Sequence, residues 1–181
     1  MCDWKKYVDK TLAFHGHLCS GQILGIRFAL AGLKALGLAP NNTNKSVVLF
    51  IESDRCVADA IIVVTGITPG QRRIKFKDYG KAAVSFLDLE TNQAVRVAGK
   101  TEPRAPSDCD PVEFWSHYAD EEILTVEKVK IELPELDRPG KSKRHVICQK
   151  CGELVNDGRE IIKEGKILCR ACADEPYYRL I

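Results

Sequence analysis

Two groups of side chains in this sequence have the types and spacing to hold a metal ion. The first lies in "AFHGHLCSGQ", where His15, His17 and Cys19 alternate within five residues. The second lies at the other end, where Cys148-x2-Cys151 and Cys169-x2-Cys172 are separated by 17 residues. That separation falls in the range of tetrathiolate zinc sites, because each Cys-x2-Cys turn brings two soft sulfurs to one point of a tetrahedron. Gly152, directly after the first pair, permits the left-handed turn of such a knuckle. Asp157-Gly158 and Glu164-Gly165 supply turn signals for an intervening hairpin, and "CRACADE" reads as a short helix opened by the second pair. The expectation is a zinc-ribbon or treble-clef module built on a structural Zn2+. Redox dithiols are the alternative, but they leave so small a segment with nothing to hold it folded.

The front cluster has a third potential contributor in Cys56 of "SDRCVAD". Cys19 and Cys56 each stand at the mouth of an apolar helical pattern, and the partial positive charge of a helix N-terminus favours thiolate there. If the two mouths face each other, two thiols and two imidazoles converge, a donor set suited to zinc, nickel or iron. Asp59, one turn after Cys56, would be a ligand or a carboxylate that orients a histidine. The competing reading makes His15 and His17 ordinary polar residues and the cysteines small core fillers.

The elements that must position these residues follow from periodicity and punctuation. Trp4, Val8 and Leu12 recur at fourfold spacing with Tyr7 alongside, which predicts a short amphipathic helix over 3–14. From Ser20 to Leu38 Arg27 and Lys34 are the only charged residues to interrupt an apolar surface, the mark of a core helix. Gly21, Gly25 and Gly32 cost helix stability there, so the close approach of another backbone is expected. "PNNTN" supplies its stop signals, and "SVVLFIE" reads as a buried strand. "SDRCVADAIIVVTG" is read as a helix capped by Ser53 or Asp54 and ended by Gly66, against the strand propensity of "IIVV". "RRIKFK", "AAVSFLDL", "AVRVAGK" and "TVEKVKIEL" read as strands, the middle two as a hairpin around "ETNQ". Asp110-Pro111-Val112-Glu113 is a helix start.

Consecutive strands imply an α+β domain over residues 1–136, with a mostly antiparallel sheet packed against the buried N-terminal helix. "DRPGKSKRH" marks a basic linker over 137–147, followed by a four-cysteine zinc finger over 148–181. The chain has 181 residues, 45% of them hydrophobic, and a formal charge of +2. That near-neutral balance gives no bulk argument for nucleic acid or membrane partners. The tail from Cys148 carries six bases and six acids, so nucleic acid is not an expected partner. No apolar run approaches the roughly 20 residues of a membrane helix, and the N-terminus lacks a secretory h-region, so a cytoplasmic protein is expected. Cys2 and Cys109 read as scattered thiols, His117 as a surface or packing histidine, and His145 as part of the basic linker.

"FHGHLCSGQILGIR", "ESDRCVADAIIVVTGITPG" and "KDYGKAAVSF" occur in this order over most of residues 10–90. Together with "EEILTVEKVKIELPE" they closely resemble the family of the formylmethanofuran dehydrogenase E-subunit. The C-terminal pairs look like the zinc-finger appendage of some of its members. The resemblance implies an α+β core that forms a homodimer, with a metal or catalytic pocket built from "FHGHLC" and "CVADA". Carried onto this chain, it nominates His15, Cys19, Cys56, Asp59 and Lys81 as catalytic residues, with Tyr79 and Gly80 nearby. It makes His17, Cys19 and Cys56 ligands of a second transition metal, for which Zn2+ is the first candidate. Where the family often has cysteine and lysine, this chain has Ile67 and Gln71, which removes a third thiol. The implied function is an accessory metalloprotein of molybdenum- or tungsten-dependent one-carbon metabolism, partnered by oxidoreductase subunits. A stand-alone metal-dependent enzyme, or a zinc-finger module that binds protein or nucleic acid, are the alternatives.

Overall fold

In the computed structural model, residues 4–40, 46–174, 176–179 and 181 are described. Cys2 and the "NNTN" part of the stop signal lie outside these residues. The chain divides into two compact units, Met1–Glu132 and Leu133–Ile181.

The first unit is α+β. A 3-10 turn, Trp4–Tyr7, leads into α1, Val8–His15, and Gly16 ends that helix with φ 90°. The long helix α2 spans Ser20–Ala35 and is followed by β1, Val47–Ile51. Next come α3, Cys56–Thr65, and β2, Ile74–Phe76. The hairpin strands β3, Ala83–Asp88, and β4, Ala94–Gly99, follow. Two short helices, α4 (Pro111–Ser116) and α5 (Asp120–Ile123), precede β5, Leu124–Val129. The sheet order is β2-β1-β3-β4-β5; β1 and β2 run parallel across the α3 crossover, and every other pair is antiparallel.

The core is the interface of α2 and α3 with the sheet, centred on Ile23, Ile26, Phe28, Leu49, Ile61 and Phe86, all fully buried. Two glycines set how close α2 can come. A Cβ at Gly25 would lie 2.6 Å from the Val57 carbonyl oxygen and 2.7 Å from the Ala60 Cβ, so α2 meets the backbone of α3 there. At Gly32 the close neighbour is a side chain, with the Phe86 ring 2.2 Å from the position a Cβ would occupy. Gly32→Ala is therefore expected to destabilise by about 1–3 kcal/mol through overpacking, despite alanine's better helix propensity. A thermal melt of the variant at or above the wild-type midpoint would refute this account of Gly32.

The structure amends several expectations. Trp4 and Val8 pack against the core, but Leu12 is 39% exposed, and the inward residues are Tyr7 and Thr11. Arg27, one of the two charged interruptions of α2, is buried and donates to Asp120 Oδ1 at 2.6 Å and to the Trp115 carbonyl at 3.0 Å. The N-cap of α3 is Arg55, in extended backbone and without a side-chain cap, rather than Ser53 or Asp54. β5 stops at Val129, short of Ile131 and Leu133. Asp110 and Gly66 terminate their helices as expected, with Asp110 accepting from the Val112 and Glu113 amides.

The second unit begins before the cysteines. Glu135–Asp137 forms a 3-10 turn, and Asp137 pairs with Arg159. β6, His145–Ile147, pairs antiparallel with β7, Leu154–Asn156. A second hairpin joins β8, Ile161–Lys163, to β9, Lys166–Leu168, ahead of α6, Arg170–Ala173. The expected 137–147 linker is thus part of the finger at both ends. Its last three residues find strand partners across the first cysteine knuckle, a pairing that composition alone does not reveal. Among the described residues no helix is long and apolar enough to cross a membrane.

Candidate metal centres

The core site forms where the C-terminus of α1 and the N-termini of α2 and α3 meet. Gly16 turns the chain in a left-handed conformation, its amide donating to the Leu12 carbonyl at 2.8 Å, and so folds His17 back beside His15. The two imidazole centroids lie 4.5 Å apart. Cys19 is the N-cap of α2 and Cys56 the first residue of α3. The candidate ligand atoms of His15, His17, Cys19 and Cys56 all lie within 4.8 Å of one another.

Hydrogen bonds fix this arrangement. Asp59 Oδ2 lies 2.7 Å from His15 Nδ1. With the carboxylate accepting from Nδ1–H, the lone pair of the ring belongs to Nε2. That atom is buried and has no hydrogen-bond partner among the described residues. Gln22 Nε2 donates to the Cys56 carbonyl at 2.9 Å and ties the mouth of α3 to α2. Sequence reasoning misses Gln22; its signal there is an amide on a largely apolar helix, and the structure buries it completely. At Gly21 a Cβ would stand 3.0 Å from the Cys56 Cβ and 3.7 Å from the Cys19 sulfur, so glycine leaves room for the two thiols to approach.

One expectation changes at this site, and two nominated residues take their places. His15, nominated as catalytic, stands among the donors with His17, Cys19 and Cys56. Burial, followed by the neighbouring Cys19 thiol, pushes the Cys56 thiol up, opposite to the effect expected from the helix mouth. Lys81 does not join the donors: it is exposed, with its ammonium 6.0 Å from the Tyr79 ring centroid. The "DYGK" loop is nevertheless anchored beside α3, because the Tyr79 and Lys81 amides donate to the Glu52 carbonyl at 2.9 and 3.1 Å. The Glu52 carboxylate is clamped by Arg96 at 2.7 and 2.8 Å, which holds its pKa below the usual carboxylate range. Ile67 is buried, and Gln71 closes a capping box with Thr68, so both departures from the family pattern have structural roles.

In the tail the ligand atoms of Cys148, Cys151, Cys169 and Cys172 also lie within 4.8 Å of one another. Gly152 adopts φ 77° and donates to the Cys148 carbonyl at 2.9 Å, completing the first knuckle. The Cys172 amide donates to the Cys169 carbonyl at 3.1 Å in the second. Gln149 joins knuckle to hairpin, donating from its amide to the Ile167 carbonyl and accepting at Oε1 from the Ile167 amide. Backbone N–H groups of Cys151 and Cys169 pull the Cys148 thiol down to about 6. The neighbouring Cys169 thiol, followed by burial, pushes Cys172 up to about 12. Four thiols this close cannot all ionise unaided, whereas a divalent cation at their centre would deprotonate them.

Comparison with known proteins places these two centres in context. Residues 14–137 match the family described as FmdE, molybdenum formylmethanofuran dehydrogenase operon. Residues 142–178 match the prokaryotic dksA/traR C4-type zinc finger. A curated relative, a probable S-adenosyl-L-methionine-binding protein from Archaeoglobus fulgidus, is 28% identical over 199 aligned positions. The alignment covers 93% of this chain and 52% of the relative, so the chain spans about half that protein's length. A crystal structure of a tungsten formylmethanofuran dehydrogenase FmdE-like protein from Syntrophus aciditrophicus shares the fold. Its TM-score is 0.65 at 24% identity, over 97% of this chain and 95% of that one. With the family match covering well over half of its 181 residues, and a C4-type zinc-finger match beyond it, this chain belongs to the FmdE family.

Proposed function

We propose that the core binds one transition-metal ion, Zn2+ by first preference, through His15, His17, Cys19 and Cys56. The tail binds a structural Zn2+ through its four cysteines. In this reading the chain is an accessory metalloprotein of one-carbon metabolism, of the kind that molybdenum or tungsten enzymes carry out. The observation that carries the core assignment is His15 Nε2, buried without a partner on a ring whose other nitrogen is held by Asp59. Buried polar atoms are nearly always satisfied, and this one stands among three further donors suited to a borderline-soft cation. Carboxylate–histidine pairs orient metal ligands in just this way. The metabolic link is supported by the family's operon description and by the FmdE-like structural neighbour. The same resemblance supports a homodimer that docks to oxidoreductase subunits.

A bound ion would supply Lewis acidity at the site. Asp59 would hold the His15 tautomer, and Gln22 would hold the mouth of α3. The second reading, a stand-alone metal-dependent enzyme, is favoured by one observation: a cavity of about 260 Å³ opens directly on Cys56.

Metal analysis of the purified full-length protein tests the proposal. Two equivalents per chain are expected in the wild type, falling to one in Cys56→Ala and to a different one in Cys148→Ala. A single equivalent that survives Cys56→Ala and disappears in Cys148→Ala would reduce the front cluster to packing.

A further inference from the structure

The cavity beside Cys56 has a composition that identifies what it would hold. Its walls are apolar, formed by Gly21 and Leu24 of α2, Val57 of α3, and Ala82 after the anchored "DYGK" loop. Two polar side chains break that lining, and both come from the turn into α3. Ser53 is 4% exposed, and its hydroxyl has no hydrogen-bond partner among the described residues. Arg55 is exposed, and its guanidinium has neither an ion pair nor a hydrogen bond among the described residues. The Ser53 hydroxyl is open to the cavity and free to donate, and an arginine without a partner presents a planar fork matched to a carboxylate. Asp54, between them in sequence, does not line the cavity.

The geometry points to a binding site for a small organic carboxylate whose apolar body fills this cavity and whose head meets Arg55 and Ser53 beside Cys56. Both oxygens of the head accept from the Arg55 guanidinium, and the Ser53 hydroxyl donates to one of them. At about 260 Å³ the cavity lies below the roughly 300–1,000 Å³ of drug-sized ligand sites, so the occupant is a short organic acid rather than a nucleotide-sized cofactor. Gly21 is the position that keeps the chamber joined to the thiols, since a side chain there would intrude between Cys19 and Cys56. The site deepens the core-centre reading and rests on it only for what else the head meets beside Cys56.

Benzoate is a suitable probe, with benzyl alcohol as its uncharged counterpart. Calorimetric titration of the full-length protein as purified, with metal content measured on the same sample, is expected to give saturable one-to-one benzoate binding. Arg55→Ala should weaken it at least tenfold, Arg55→Lys should recover part of the loss, and Ser53→Ala should weaken it several-fold. Benzyl alcohol should be indifferent to Arg55. Benzoate affinity unchanged in both Arg55→Ala and Ser53→Ala, or no saturable binding at all, overturns the inference. Arg55-dependent binding in protein without a core metal upholds the cavity and overturns the metal reading. A metal-loaded core that binds no benzoate does the reverse.

Discussion

Removing zinc from the tail, or replacing Cys148 by alanine, is expected to unfold residues 145–173 while the helix-and-sheet unit before Glu132 stays folded. Among the described residues, the second unit's apolar core consists of Cys148, Val155, Leu168 and Ala173, so one of these four buried residues is itself a candidate ligand. Its sheets are two isolated hairpins of three-residue strands, and two-stranded hairpins are marginal in water. Its ion pairs, such as Arg144–Glu160 and Arg159–Asp137, involve half-exposed arginines and contribute little. Against this, zinc bound by a structural site contributes about 10–16 kcal/mol, all of it folding free energy where no preformed site exists. Hydrogen–deuterium exchange provides the readout. With a chelator, amides of β6 to α6 should lose their protection, while those of α2 and β3 keep theirs. Added Zn2+ should restore protection in the wild type and fail to do so in Cys148→Ala. A chelated tail that exchanges as slowly as the zinc-loaded one would mean that the segment folds on packing alone.

The parts of this molecule legible in its sequence are those fixed by short-range covalent spacing. The Cys-x2-Cys pairs, Gly152 after the first and the Glu164-Gly165 turn determine the tail's arrangement over a few residues each, and the structure places them accordingly. The same holds for the β3–β4 hairpin and for the Asp110-Pro111 helix start. Gly25 and Gly32 signal close packing, but not against what, because their neighbours Val57 and Phe86 are distant in sequence. The position of His15 is harder to read for the same reason. Its role is set by Asp59, 44 residues away, and by the αL turn at Gly16 that brings His17 beside it. Arg27 reads only as an interruption of an apolar surface because its carboxylate partner, Asp120, follows 93 residues later. Leu12 lies off the buried face, which runs instead through Tyr7 and Thr11. A loop anchored through the Glu52 carbonyl turns the Lys81 amide, not its ammonium, toward the core.

Asp59→Asn is expected to weaken core metal binding by about 10–100-fold, the usual effect of losing a carboxylate that orients a ligating histidine, and to leave the tail untouched. The amide can still accept from His15 Nδ1–H, so the tautomer is kept and only the charge is lost. Asp59→Ala removes both and should be worse, and Asp59→Glu should recover part of the affinity if its longer arm reaches the ring. Truncation of a purely structural carboxylate would not produce this order, because Asp59 is half-exposed and its bond to His15 spans two helix ends rather than a packed interior. Cobalt(II) separates the two centres. A site of two thiolates and two imidazoles and a site of four thiolates absorb differently, so a titration of each variant reports core and tail affinity in one experiment. The tail's bands should be superimposable across the Asp59 series while the core's shift to higher cobalt concentration. Equal core affinity in wild type, Asp59→Asn and Asp59→Ala would show that the bond to Asp59 does not tune the metal. His15 would then have to owe its orientation to the Gly16 turn and to its contact with His17.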